Sequence, residues 1–326
     1  MLEASSPAKA ILFGEHAVVY GKPAIAISLD RRMNLTVFPA EEPTVDGGRL
    51  SLRKHRYVRK AYDNLWDGKA IAFRTRSWIP SASGLGSSAA LSCSAVAAML
   101  FLQGDLSEEN IARKAFQVEY EVQGRASPTD TSCSTHGNAI MVSSRAGDDL
   151  LWTIPAGENV WNVHHVEPPD LKLVVGYTKQ PSVTPLQVEK VRNYYNRSGF
   201  ARETIDDIGS LTMDGMKALQ ARDLVELGEL MNRNHSLLTI LGVTSRELDK
   251  LRDAAGPLSY GTKLTGAGGG GSIIALTDRP DEVCEAIRRR GGVPFSVGST
   301  RKGTSVEVLD RDALHIFNTT GPGEKD

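Results

Sequence analysis

The sequence predicts an α+β protein built of two domains, and three observations carry that expectation. At 326 residues the chain is longer than one hydrophobic core comfortably organises. Strand-like and helix-like stretches are intermixed without the strict βαβ alternation of a doubly wound sheet. Residues 147–169 lack periodicity and contain Pro155, Pro168 and Pro169, which places a boundary there. The expected units are 1–165 and 166–316, followed by a mobile tail over 317–326.

The elements follow in chain order. The short apolar run 10–13 predicts a first strand, and 14–21 a turn carrying Glu15 and His16. A second strand spans 24–38, its alternation broken at Asp30, Arg31 and Arg32. The polar stretch 39–48 connects to a helix over 57–66, and 71–76 alternates apolar and charged residues as a strand does. Residues 87–102 are nearly all small or apolar and predict a helix buried on most sides. Ser107 caps the next helix, with Glu108 and Glu109 in its first turn and Gly124 at its end. Ile111, Ala115, Val118 and Val122 recur at helical spacing along it, and 139–143 reads as a strand. The second unit opens with a strand over 171–177. Helices then span 185–195, 203–221, 223–240 and 245–255, the last stopped by Gly256 and Pro257. A strand over 272–276, a helix over 281–290 and a final strand over 304–309 complete it.

Composition excludes several classes. Lys plus Arg number 38 against 39 Asp plus Glu, so no field of one sign recruits nucleic acid or an anionic membrane. Three cysteines, Cys93, Cys133 and Cys284, without a CxxC pair, give neither a disulfide framework nor a thiolate metal site. The opening MLEASSPAKAILFGEH is not a signal peptide, and 87–102 is too short and too rich in Ser and Ala to span a bilayer. A cytoplasmic location is expected.

Four stretches could carry chemistry. PSASGLGSSAAL, residues 80–91, sets Gly84 and Gly86 directly before a helix start. A helix N-terminus leaves about four N–H groups unpaired, and glycines let a di- or triphosphate approach them. A plain serine-capped surface loop would explain the same residues. Neither GxxxxGK[ST] nor GxGxxG is present at this loop, since Ala89 stands at the third position of the latter. KLTGAGGGGSIIAL, residues 263–276, packs Gly266 and Gly268 to Gly271 against an apolar strand, which suits close ligand approach or a flexible hinge. PAKAILFGEHAVVYGKPAIA, residues 7–26, carries Lys9, an edge lysine if nothing stands beside it, and Glu15-His16 on a loop. VEYEVQGRASPTDTSCSTHGN, residues 118–138, places Glu119 one step off an apolar stripe and Asp130 in a Ser/Thr-rich loop, where a turn or cap role is the ordinary one.

Taken together, and in this order, these segments resemble the GHMP kinase superfamily, most closely the members that phosphorylate mevalonate. The resemblance spans the chain. It implies a ribosomal-S5-domain-2-like N-terminal domain and an α+β C-terminal domain with the site in the cleft between them. It further implies ATP-dependent phosphorylation of mevalonate in isoprenoid biosynthesis, with Mg²⁺ as cofactor and a homodimer as the assembly. By position, Pro80, Ser81, Ala82, Ser83, Gly84, Leu85, Gly86, Ser87, Ser88, Ala89 and Ala90 correspond to the ATP loop, joined by Gly268 and Gly269. Ser88 and Glu119 correspond to the Mg²⁺ positions, Asp130 to the catalytic aspartate and Lys9 to the lysine beside it. Glu15, His16 and Thr184 correspond to acceptor-binding positions. One departure stands out: Asn138 occupies a place where a second glycine is expected, a substitution that a left-handed backbone tolerates. Another small-molecule kinase of the same fold, such as a phosphomevalonate or sugar kinase, and a non-catalytic nucleotide-binding regulator are the competing expectations.

Overall fold

The computed structural model describes residues 1–124, 126–157 and 159–310, so the expected tail over 317–326 lies outside the described residues. The first half contains β1 (Leu2–Phe13), β2 (Ala24–Pro39), β3 (Thr44–Val45), β4 (Gly48–Arg49), α1 (Leu52–Leu65), β5 (Ile71–Ser77) and α2 (Ser87–Gln103). It continues with α3 (Glu108–Gln123), α4 (Thr129–His136), β6 (Ala139–Ser143), β7 (Leu150–Ala156) and β8 (Asn159–Val166). The second half runs β9 (Lys172–Tyr177), α5 (Thr184–Arg197), α6 (Gly199–Ala221), α7 (Leu224–Ile240), α8 (Arg246–Ala255), β10 (Gly261–Thr265), β11 (Ser272–Leu276), α9 (Pro280–Arg289), β12 (Val293–Gly298) and β13 (Ser305–Val308).

Two sheets organise these elements. The larger has the order β4-β3-β5-β2-β6-β8-β7, with β1 paired to both β2 and β13; the smaller is β10-β11-β9-β12. The break in alternation at Asp30 and Arg31 is a bulge: Ala8 pairs with Leu29 and Pro7 with Arg32, leaving the two residues between them without partners on β1. Helix α2 presents no polar face because it has none to present. Ala89, Ala90, Cys93 and every residue from Ala95 to Leu100 are buried between the sheet and its neighbouring helices. Helix α3 is amphipathic and capped as its sequence implies. Ser107 accepts from the Asn110 N–H at 3.2 Å, and Gly124 closes the helix in the left-handed conformation.

The halves are not separate cores. One cluster runs from Leu12, Phe13 and Ile27 of the larger sheet to Val175, Leu230 and Ile274 of the smaller half. The cleft between the halves is therefore braced by shared packing.

Four expectations are corrected. The stretch 147–169, read as lacking periodicity, contains the hairpin β7–β8, and Pro155 is tolerated because β7 lies at the sheet edge. The final strand pairs with β1 and not with the second half's sheet. It is drawn there by the Arg32 guanidinium donating to the Lys302 and Gly303 carbonyls at 2.9 and 2.7 Å. Asp130 lies in the first turn of a short helix, where the N-terminal dipole favours a carboxylate. Strand β10 precedes the glycine cluster where no strand was expected. All five of its residues are buried, including a lysine, so no polar alternation marks it.

Candidate active site

A cavity of about 530 Å³ opens between the halves, and most of the separated sequence segments meet on its wall. Lys9, Glu15, His16, Ala82, Gly84, Gly86, Ser87, Ser88, Glu119, Asp130 and Thr184 all line it. At its centre the Lys9 Nζ lies 3.0 Å from Asp130 Oδ1 and donates to the Gly84 carbonyl at 3.2 Å. Lys9 is no edge residue: it is 1% exposed, and its backbone N–H donates to the Leu85 carbonyl at 3.0 Å, tying β1 to the loop before α2. Asp130 stays partly open to the cavity, with a side-chain exposure of 33%.

The loop glycines serve protein contacts. Gly86 has φ +73°, and a Cβ there would stand 2.8 Å from Lys9 Cε, so this glycine leaves room for the lysine stem. Gly84 has φ +84°, and a Cβ there would come within 2.5 Å of the Thr265 carbonyl oxygen, so it allows the two loops to lie back to back. Neither Ser87 nor Ser88 caps α2, whose N-cap is Gly86 without a side-chain bond. The serine-cap explanation therefore fails, and both residues line the cavity.

The remaining loop residues lie elsewhere. Ser83 closes the loop on itself by donating to the Pro80 carbonyl at 2.7 Å, and Ser81 is exposed. Leu85, Ala89 and Ala90 are core. Gly268 and Gly269, expected beside the nucleotide, are not among the cavity-lining residues; they face Val243 and Gln187, while Gly266 and Ala267 form the cavity edge.

Glu119 is buried at 3% exposure, with Gln123 Nε2 donating to Oε1 at 3.3 Å and the Ser88 hydroxyl also bonded to it. Burial, followed by the nearby Asp130, pushes its carboxyl up to about 7. Among the described residues no three His, Cys, Asp or Glu side chains converge as a metal cage. A hard cation that takes the rest of its shell from phosphate and water fits so sparse an oxygen set, and its charge would hold Glu119 ionised.

Glu15 and His16 differ in what they have left to offer. Glu15 is committed: one oxygen pairs with Lys263 Nζ, and the other accepts from Asn234 Nδ2 at 3.0 Å. Lys263 is fully buried and also donates to the Ile11 and Leu264 carbonyls at 3.2 and 2.7 Å. Burial pulls its ammonium down from the ordinary range, and Glu15 opposes that. His16 sits at φ 62°, its Nε2 2.9 Å from the Ala267 carbonyl. A carbonyl only accepts, so Nε2 carries the proton and Nδ1 remains an acceptor.

Burial drives His16 down to about 4, and His235, on α7, down to about 4 as well. A depressed histidine binds fewer protons folded than unfolded, so its stability is intact above pH 6.5 and is lost as pH falls toward 4. Glu119 acts with the opposite sign between 4.5 and about 7. His16→Asn keeps a residue that tolerates positive φ. It should flatten the acid loss of the unliganded chain by up to about 1.4 kcal/mol per pH unit in urea titrations run from pH 4 to 7. An unaltered slope would show that His16 titrates normally.

Sequence reasoning missed Lys263 and Arg192. Arg192 lines the cavity one helical stripe along from Thr184 and Val188, so the 4-residue spacing was the available signal. Lys263 carried none beyond its place before the glycines.

The comparisons agree with this geometry. Residues 55–138 match the GHMP kinases N terminal domain model, and 216–293 match GHMP kinases C terminal. The mevalonate kinase of Methanothermobacter thermautotrophicus is 36% identical over 88% of this chain and 94% of its own length. The crystal structure of L. major mevalonate kinase in complex with R-mevalonate superposes with a TM-score of 0.74 at 25% identity, covering 92% of this chain and 96% of that one. Streptococcus pneumoniae phosphomevalonate kinase, with phosphomevalonate and AMPPNP, gives 0.75 at 15% identity over 91% and 100%. Overall shape thus does not separate the acceptors, whereas identity along the chain does: the chain belongs to the GHMP kinase family, on its mevalonate kinase branch.

Proposed function

We propose that the chain transfers the γ-phosphoryl group of ATP to the primary hydroxyl of mevalonate, giving 5-phosphomevalonate and ADP. The observation that carries the chemistry is the Lys9–Asp130 pair, 3.0 Å apart on the cavity wall beside the start of α2. Asp130 accepts the hydroxyl proton as the oxygen attacks. Lys9 pairs with that carboxylate and offsets the charge that develops on the oxygen. The N–H groups opening α2, with the Ser87 and Ser88 hydroxyls, receive the triphosphate. Ser88 and Glu119 would hold Mg²⁺, which would neutralise phosphate charge.

On the acceptor side, His16 Nδ1 receives a hydrogen bond from a hydroxyl, and Thr184 adds a hydroxyl of its own. Lys9 is occupied with Asp130, which leaves the Arg192 guanidinium to meet the mevalonate carboxylate. Glu15, with both oxygens engaged, acts by fixing the turn that carries His16. A coupled ADP-release assay over mevalonate, phosphomevalonate, galactose and homoserine tests the reading. Mevalonate should give the highest kcat/KM, and higher turnover of any other acceptor would overturn it.

Ser88→Ala and Glu119→Gln should each raise the Mg²⁺ concentration for half-maximal rate by about ten-fold or more, as loss of a metal-holding group does. Superimposable metal titrations would remove these residues from the Mg²⁺ site.

A further inference from the structure

Helix α5 is a wall of the cavity, tied to the second half by Lys190 donating to the Gly242 carbonyl and by Arg202 donating to the Tyr195 carbonyl. Of its 14 residues only Val191 is buried. Thr184, Val188 and Arg192 face the cavity at successive spacings of four, so one stripe of this helix supplies much of the acceptor side. Its N-terminal end is anchored just outside the helix. The Ser182 N–H donates to the Ala82 carbonyl at 2.9 Å, and the Ser182 hydroxyl donates to the Gly268 carbonyl at 2.7 Å.

Its other end meets the first half of the chain through an aromatic contact. Tyr195 stacks on Tyr20 with ring centroids 4.1 Å apart and planes inclined by 24°. Tyr20 closes the short 3-10 turn Ala17–Tyr20 that follows Glu15 and His16, and it too lines the cavity. Tyr195 lies three residues beyond Arg192, on the same helical face.

We infer that the Tyr20–Tyr195 stack is a clamp that positions the acceptor-facing stripe of α5 against the His16 turn, making Tyr195 a positioning residue for acceptor selection. The inference rests on the proposed mevalonate reaction. The stack acts through Val188 and Arg192, which line the acceptor side of the cavity. Loosening it lets the wall recede from the acceptor while the phosphate side stays as it was. Phenylalanine keeps the ring contact; alanine removes it.

The test is steady-state kinetics of Tyr195→Ala and Tyr195→Phe with mevalonate and ATP varied separately, together with thermal melts and hydrogen exchange over residues 184–197. Removing an aromatic pair should raise the mevalonate KM of Tyr195→Ala by about three- to ten-fold. ATP KM should stay within about two-fold, Tyr195→Phe should match the parent, and exchange should quicken in α5 alone. Exchange gives a readout even if the alanine variant is inactive. An unchanged mevalonate KM, a parallel rise in both KM values, or equal damage from phenylalanine would overturn the clamp. Absence of mevalonate turnover in the parent protein would instead sink the functional reading, and exchange in α5 would still report on the stack.

Discussion

Asp130→Asn should lower kcat by about 10²- to 10⁴-fold, the range that a positioned general base contributes, while ATP affinity survives. The amide preserves the shape of the side chain and the first turn of α4 but cannot take a proton from the attacking hydroxyl. It also leaves Lys9, 1% exposed, facing a neutral group and the Gly84 carbonyl. Lys9→Met, which keeps most of the stem against Gly86, should lower kcat sharply for the complementary reason: the carboxylate and the developing oxyanion lose their counter-charge. Fluorescent nucleotide titration separates binding from turnover. Near-normal kcat in Asp130→Asn would take the aspartate out of the mechanism, and a parallel collapse of ATP binding would make the pair a scaffold for the loop.

The second large effect is on stability. Lys263→Met leaves Glu15 buried at 1% exposure with its ammonium partner gone, and an uncompensated buried charge costs about 3–5 kcal/mol. Equilibrium urea unfolding should show that loss, and Glu15→Gln should show a comparable one for the stranded lysine. The double variant Glu15→Gln/Lys263→Met should recover most of it, because an uncharged pair of similar volume no longer needs desolvating. Single variants within about 1 kcal/mol of the parent, the range of an exposed pair, would mean that water reaches the site.

Legibility in the sequence tracked local chemistry. The caps of α3, the apolar run of α2 and the periodic helices of the second half are written in neighbouring residues, and the structure has them within a few positions. Asp130 reads as a loop residue because α4 is a single polar stretch of Ser and Thr with no apolar stripe. The β7–β8 hairpin hides behind the proline of an edge strand, and β10 behind a buried lysine. The glycines drew attention for a sound reason, but sequence gives no sign of which neighbour requires them. At Gly84 and Gly86 that neighbour is protein.

By itself, then, the sequence determined the α+β class, most element positions, and the segments that bring Lys9, Ser88, Glu119 and Asp130 to one family's chemistry. These follow from propensity, capping and motif, which act over a few residues. Tertiary structure alone decided that β13 joins the first sheet, that Lys263 meets Glu15 across 248 positions, that Arg192 and Tyr20 line one cavity, and that Tyr195 stacks on Tyr20. A buried charge or a cross-domain ring contact is fixed by which surfaces exclude water together, and that depends on the whole packed chain.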